Sequence, residues 1–200
     1  AAHDFGEAGG VTPEATLASV GGEFAIYKGE RLRSWALVAG GARLNEGAQD
    51  LGALLGIAFE GNFKGTQISV TAQGRRQGGG FRFGYFGAGY ELSRFSAVGL
   101  SEEPQSDQRV PKDFSGYLEL SVARGDGPDS PEVVASGAVE YSAFGRADGD
   151  LSLSFSSPGG ESRGIARVIV VGLGDKPQYS VAAEFRQRVL PAMYIWGAGA

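Results

Sequence analysis

Apolar and polar residues alternate along most of this chain, and the alternation is clearest between Leu51 and Gln73. Side chains on a β-strand point to opposite faces in turn, so a period of two predicts a strand with one apolar face. That face comprises Leu51, Ala53, Leu55, Ile57, Phe59, Gly61 and Phe63, followed by Ile68, Val70 and Ala72. The opposite face is small and polar, and a tight turn is predicted near Lys64-Gly65. The stretch is therefore predicted to be a β-hairpin.

The same alternation recurs from end to end and predicts an all-β fold of about twelve antiparallel strands. The other strand segments are 15–27, 31–44, 81–85, 92–100, 114–122, 133–141, 151–155, 164–173, 179–185 and 193–200. No segment carries an apolar stripe with the 3.6-residue period of a helix, and no apolar run is long enough for a transmembrane helix. The strands are expected to form either a closed barrel or packed sheets.

A candidate internal repeat divides the chain. It comprises an N-terminal arm at 1–14, a first β repeat at 15–100, a polar linker or long loop at 101–112, and a second β repeat at 113–200. The pattern Ser-Val-x-Ala-x-x-Arg occurs at 69–75 and again at 180–186. Duplication would place Arg75 and Arg186 at equivalent positions in two similar halves. Chance resemblance between Gly- and Ala-rich strands is the alternative.

Glycine is unusually abundant, with 34 of 200 residues against a typical share of about 7%. It occurs at turns and inside the alternating runs, as tight bends, bulges and crowded barrel walls require. Gly40-Gly41 is accordingly predicted to be a β-bulge. Gly74–Gly80, which includes Arg75 and Arg76, is predicted to be a flexible basic turn.

Composition and motifs argue against several functions. The net charge of -5 argues against nucleic-acid binding. The chain has no cysteine and a single histidine, His3, near one terminus, so neither redox chemistry nor a serine–histidine triad has support. Asp126–Asp129 and Asp148–Asp150 could form calcium loops, but Asp-Gly clusters are ordinary turn formers. We therefore expect no enzymatic activity, no metal and no cofactor.

Two sets of side chains are candidates for function. The polar-face set, which could line a lumen, is Glu60, Lys64, Glu119, Glu140, Glu184, Arg186 and Arg188. The aromatic surface set is Phe81, Phe83, Tyr85, Tyr194 and Trp196. Such rings could pack within the sheets, form a membrane-interface belt or stack against sugars.

Two functions remain open at this point. Apolar strand faces backed by small residues and sparse charges resemble bacterial outer-envelope barrels, which implies a pore or a structural or assembly component with lipid or envelope partners. The alternative is a secreted two-repeat β-sandwich that binds carbohydrate or a protein partner. The opening residues Ala-Ala-His-Asp are compatible with a mature exported chain, so an outer-membrane or extracellular location is expected. Either function is compatible with an oligomer.

Overall fold

In the part of the chain that the structure describes, the architecture is a single antiparallel sheet of ten strands, arranged in the order of the sequence. The computed structural model describes residues 17–44, 50–79, 81, 83, 110–125, 130–143, 145–173, 177–190 and 193–199. Each described strand pairs with its described neighbours in chain order, so these strands form a meander. The described part contains no α-helix, and hence none with the length and apolar character to cross a bilayer.

The strands are long for a β-protein, in which about five to six residues is the usual length. They are β1 Leu17–Lys28, β2 Leu32–Arg43, β3 Leu51–Phe63, β4 Thr66–Gly79, β5 Val110–Arg124, β6 Glu132–Ser142, β7 Ala147–Ser156, β8 Ser162–Leu173, β9 Gln178–Leu190 and β10 Met193–Gly199. A short 3-10 turn, Pro158–Gly160, lies between β7 and β8. We call the sheet edge with connections 44–50, 80–109, 143–146 and 174–177 the upper edge, and the opposite edge the lower edge.

The all-β antiparallel prediction is confirmed, and ten of the twelve strand segments correspond to β1–β10. Of the other two, 92–100 lies outside the described residues, as does most of 81–85, where only positions 81 and 83 are described. The ten strands form one sheet rather than two packed sheets. Within the described residues β1 and β10 are edge strands that do not pair with each other, so a closed barrel is not shown.

The predicted hairpin, formed by β3 and β4, has its register set by its turn. Lys64 and Gly65 have φ values of 50° and 78°, and Phe63 pairs with Thr66 across them. Two consecutive residues of positive φ form the hairpin turn whose twist matches that of the strands, and glycine meets this requirement without strain at the second position. The turn therefore sets the β3–β4 register, and Lys64 lies on it rather than on a strand face.

Two local predictions were wrong. Gly40 and Gly41 are not a bulge, because they pair in regular register with Ala53 and Gly52. Nor is 74–79 a flexible turn, because β4 continues to Gly79 and pairs with β5; Gly80, the last residue of that prediction, lies outside the described residues. Pairing in a strand overrides the local preference of glycine for turns at both places. The β4–β5 register shifts only between Gln77 and Gly79.

Register assigns every strand residue to one of two faces, because partners across a ladder point to the same side. We call the face of Phe59 and its cross-strand partner Val70 the outer face, and the opposite one the inner face. The described large apolar side chains that remain exposed lie almost entirely on the outer face. They include Val20, Phe24, Val38, Leu55, Phe59, Leu118, Leu120, Val139, Leu151, Leu153, Phe155, Val181 and Phe185. Among the described residues only two large apolar side chains are buried, Phe81 and Val171.

The candidate repeat is not confirmed, and the equivalence of Arg75 and Arg186 stays a prediction. Five strand positions separate β4 from β9 in an antiparallel meander, so the two strands run in opposite directions. Arg75 consequently lies towards the upper edge and Arg186 towards the lower edge. The ladder also continues directly from β4 to β5, through Thr66↔Arg124.

Candidate functional site: a polar inner face behind an apolar outer face

The inner face is organised around Arg75 of β4. Its Nη1 donates to Glu140 Oε2 of β6 at 2.7 Å, and the two side chains are only 11% and 19% exposed. Its Nε and Nη2 donate to Gln73 Oε1 at 2.9 and 2.7 Å. The guanidinium carbon lies 4.0 Å from the centroid of the Tyr117 ring. A planar cation with several donors can satisfy all these partners at once, as lysine could not.

Glu140 is the acceptor at the centre of the same cluster. Its Oε1 accepts hydrogen bonds from Ser115 Oγ at 2.6 Å and from Gln77 Nε2. Gln77 Nε2 also lies 3.0 Å from Ser115 Oγ, and both side chains are buried. An ionised carboxylate that accepts from a guanidinium, a hydroxyl and an amide is well compensated. The cluster thus ties β4, β5 and β6 together on the inner face.

The chain leaving β4 turns onto this inner face. Phe83 N donates to Gln77 Oε1 at 2.9 Å, and Phe81 N donates to Gly78 O at 3.3 Å. The Phe81 ring is 2% exposed and meets the Phe83 ring edge-on, with centroids 5.1 Å apart. A Cβ on either of the paired residues Gly41 and Gly52 would overlap the Phe81 ring. These glycines therefore provide the space that Phe81 occupies over β2 and β3.

A second cluster of ion pairs involves Arg146, just before β7, and residues of β7 and β8. Arg146 Nε donates to both Asp148 oxygens at 2.8 Å, and Asp148 Oδ1 also accepts from Gly172 N at 2.8 Å. Arg167 forms a two-pronged ion pair with Asp150, one arm of which is 2.9 Å long. Each aspartate of the candidate calcium loop Asp148–Asp150 thus faces a guanidinium. No group of three or more metal-ligating side chains occurs in the described part of the chain, and Asp126–Asp129 lies outside it.

The polar-face candidates divide by their surroundings. Glu140 belongs to the central cluster, Glu119 accepts from Tyr117 Oη at 2.8 Å, and Glu60 accepts from Gln67 Nε2 at 3.2 Å. Glu184, Arg186 and Arg188 are assigned to the inner face by register but are exposed. The structure therefore brings only one of the seven predicted residues into the central cluster.

The aromatic candidates do not form one surface. Phe81 is buried, which contradicts its prediction as a surface residue, and Phe83 is half-buried beside it. Tyr85 lies outside the described residues. For Tyr194 and Trp196 only the strand positions are described, opposite Arg188 and Arg186.

Sequence reasoning missed Arg75, Gln77 and Ser115 as members of the central cluster. A signal for the first two was present: the polar alternation at Gln67, Ser69, Thr71 and Gln73 continues without a break to Arg75 and Gln77. Extending the strand by that period would have placed both on the inner face.

The outer face has the opposite character. In β1–β10 its charged residues occur only near the two edges. Arg76 and Lys112 lie towards the upper edge, and Arg124 lies at the lower edge. Between the pair Arg76↔Phe114 and the pair Thr66↔Arg124, every outward residue of β4 and β5 is apolar or glycine. On β4 and β5 the outer face thus has an uncharged apolar band with an arginine near each end.

No protein-family model matches this chain, and neither a curated protein nor a solved structure matches it at a significant level.

Proposed function

We propose that this chain is a membrane-embedded β-barrel of the cell envelope, with its outer face against lipid and its inner face enclosed. The observation that carries the proposal is the inverted polarity of the sheet. Large apolar side chains are exposed on one face, whereas ion pairs and hydrogen bonds are packed on the other. A sheet in water buries its apolar face, but strands in a bilayer turn that face outward to hydrocarbon.

The width of the apolar band supports this environment. At about 3.3 Å per residue, β4 from Thr66 to Arg76 measures roughly 33 Å along the strand. A strand tilt of about 40° reduces this to roughly 25 Å, which is about the height of the apolar band of membrane barrels. Arg76 and Arg124 would then lie at the two interfaces, where long cationic side chains are tolerated.

Closure of the sheet is part of the proposal. Backbone groups along an open strand edge have no water partner in hydrocarbon, and each unsatisfied group costs several kcal/mol. Pairing of β1 with β10 would remove both edges, because β1 and β10 run in opposite directions and are compatible with an antiparallel seam.

A structural or assembly role is favoured over an open pore. Barrels of about eight strands are just filled by side chains, and ten strands enclose only a somewhat wider interior. Here the Arg75–Glu140 cluster and the Phe81 and Phe83 rings lie on the inner face near the upper edge. These groups would narrow any channel through a closed sheet.

The sandwich alternative receives less support. It needs two sheets with their apolar faces packed together, whereas the described strands form one sheet with that face uncovered. The β4–β5 ladder, in regular register from Thr66↔Arg124 to Gln77↔Asp113, also joins the two predicted repeats.

Detergent-phase partition combined with vesicle insertion tests the proposal. We expect the chain to enter the detergent phase, to insert into phosphatidylcholine vesicles with a β-type circular dichroism spectrum, and to show little single-channel conductance in planar bilayers. A soluble monomer in detergent-free buffer would overturn membrane embedding. A large steady conductance would overturn the structural role.

A further inference from the structure

The outer face carries a recess of about 530 Å³ between β3 and β6. Its floor is the cross-strand pair Gly74↔Gly116. A Cβ on Gly116 would meet no atom within 4 Å, and one on Gly74 would meet only the Leu55 carbonyl oxygen, at 3.9 Å. Missing side chains on two adjacent strands thus leave a slot in an otherwise continuous apolar band.

The walls of the recess are apolar side chains that stand outward on both sides. Leu55 of β3 lies on one side, and Tyr141 and Val139 of β6 lie on the other. All three are exposed, by 69%, 58% and 43% respectively. The recess is open along the outer face and its walls offer few polar partners, so it suits an apolar occupant better than a charged one.

A cation lies at the upper end of the slot. Arg76 is the next outward residue after Gly74 on β4, about 7 Å further along the strand. Its guanidinium carbon lies 5.9 Å from the centroid of the Phe114 ring, and the side chain is exposed. Within the described residues no carboxylate pairs with it, whereas the neighbouring Arg75 is held by Glu140 at 2.7 Å. The charge of Arg76 is therefore directed outward at the margin of the apolar band.

We infer that this recess is a binding site for an anionic phospholipid, with one acyl chain in the Gly74–Gly116 slot and the phosphate on Arg76. The inference rests on the proposed membrane location and adds a specific lipid class to it. The supporting argument is complementarity of charge and position, since a phosphate lies at the margin of the hydrocarbon layer and its acyl chain extends inward from there. Guanidinium groups bind phosphate oxygens in a two-pronged geometry.

Three variants separate the elements of the site. Arg76→Gln removes the cation, and Gly116→Leu fills the slot while keeping the face apolar. Gly116 tolerates a side chain, since its Cβ position is open. Arg124→Gln is the matched control, because it removes an outward arginine at the opposite margin, away from the recess.

The experiment measures the thermal unfolding of each refolded chain in zwitterionic detergent micelles with added phosphatidylglycerol or phosphatidylcholine. For the unmodified chain and for Arg124→Gln, we expect phosphatidylglycerol to raise the midpoint about 3–5 °C more than phosphatidylcholine does, as binding at several-fold excess over the dissociation constant predicts. Arg76→Gln and Gly116→Leu should each lose at least half of that difference. In native mass spectrometry, the unmodified chain and Arg124→Gln should retain more phosphatidylglycerol molecules than Arg76→Gln and Gly116→Leu do.

Other outcomes overturn the inference. If Arg76→Gln and Arg124→Gln lost the phosphatidylglycerol effect equally, the lipid would be attracted to any arginine at the margin of the band rather than to this recess. An unchanged response of Gly116→Leu would show that the slot holds no acyl chain, as would equal stabilisation by glycerol phosphate. Stabilisation only by an added apolar peptide would assign the recess to a protein partner instead. A chain that inserts into micelles without preferring phosphatidylglycerol overturns this inference alone, whereas a chain that fails to insert overturns the proposed function.

Discussion

The two faces of this sheet share one backbone and yet have opposite surroundings. Adjacent residues Arg75 and Arg76 show the contrast most directly. Arg75 is 11% exposed and held by Glu140 on the inner face, whereas Arg76 is exposed beside Phe114 on the outer face. The same side-chain chemistry therefore has two roles, set only by the alternation of the strand.

The contrast also shows that exposure and polarity must be considered together. Phe59 is 40% exposed on the outer face, and Ser115 is 5% exposed on the inner face. In a water-soluble protein the usual tendency is the reverse. The difference is explained if hydrocarbon surrounds the outer face, since the hydrophobic effect then offers no reason to cover it.

The largest expected effect comes from placing a charge on the outer face. Phe59 lies near the middle of the apolar band. Phe59→Arg should lower the free energy of unfolding, measured for the chain inserted in vesicles, by about 2–4 kcal/mol, because a guanidinium there loses its hydration. Glu60→Ala, on the inner face one residue further along, should cost less than about 1 kcal/mol. Urea titration followed by tryptophan fluorescence measures both variants. Equal losses would show that the faces are assigned incorrectly.

Breaking the central cluster should have the next largest effect. Glu140→Ala leaves the largely buried Arg75 guanidinium without its carboxylate partner. It should lower the free energy of unfolding by about 1–3 kcal/mol. The double variant Arg75→Met/Glu140→Leu should cost less than the sum of its single changes, since no unpaired charge remains. Additive losses in the same urea titrations would mean that the two side chains do not interact.

Glycines on the two faces should differ in their tolerance of a methyl group. Gly52→Ala places a Cβ against the Phe81 ring and should cost about 1–2 kcal/mol through overpacking. Gly116→Ala meets no neighbouring atom and should change the unfolding free energy by less than about 0.5 kcal/mol. In a Phe81→Ala background, Gly52→Ala should no longer lower the free energy of unfolding by this amount. Persistence of that cost in the absence of the ring would show that Phe81 does not lie over Gly52.

The smallest effect is expected at the open ion pair. The Arg167 and Asp150 side chains are 41% and 29% exposed, so solvent screens the attraction between them. Arg167→Gln should lower the free energy of unfolding by less than about 1 kcal/mol, and the difference should diminish in about 1 M salt. A salt-independent loss above that size would place the pair in a drier interior than its exposure indicates.

The sequence was sufficient to assign the faces but not the clusters. A period of two depends only on neighbouring residues, so the outward positions of Leu55, Phe59 and Val70 followed directly from it. The Arg75–Glu140 contact depends on register across β5 and joins residues 65 positions apart, for which periodicity carries no information. Phe81 was assigned to a strand face for the same reason, because the glycines that admit its ring lie on β2 and β3.

The register between β4 and β5 is not set by a short turn, unlike that of the β3–β4 hairpin. The 80–109 connection joins β4 to β5, and compared with a tight turn it adds about 2 kcal/mol of loop-closure entropy. A shift of one residue there would exchange the two faces of every later strand. The Gln77–Ser115 and Arg75–Glu140 contacts span this ladder, so we expect them to stabilise the observed register over a shifted one. Without them we expect the first four strands and the last six to form readily but to join in mixed registers.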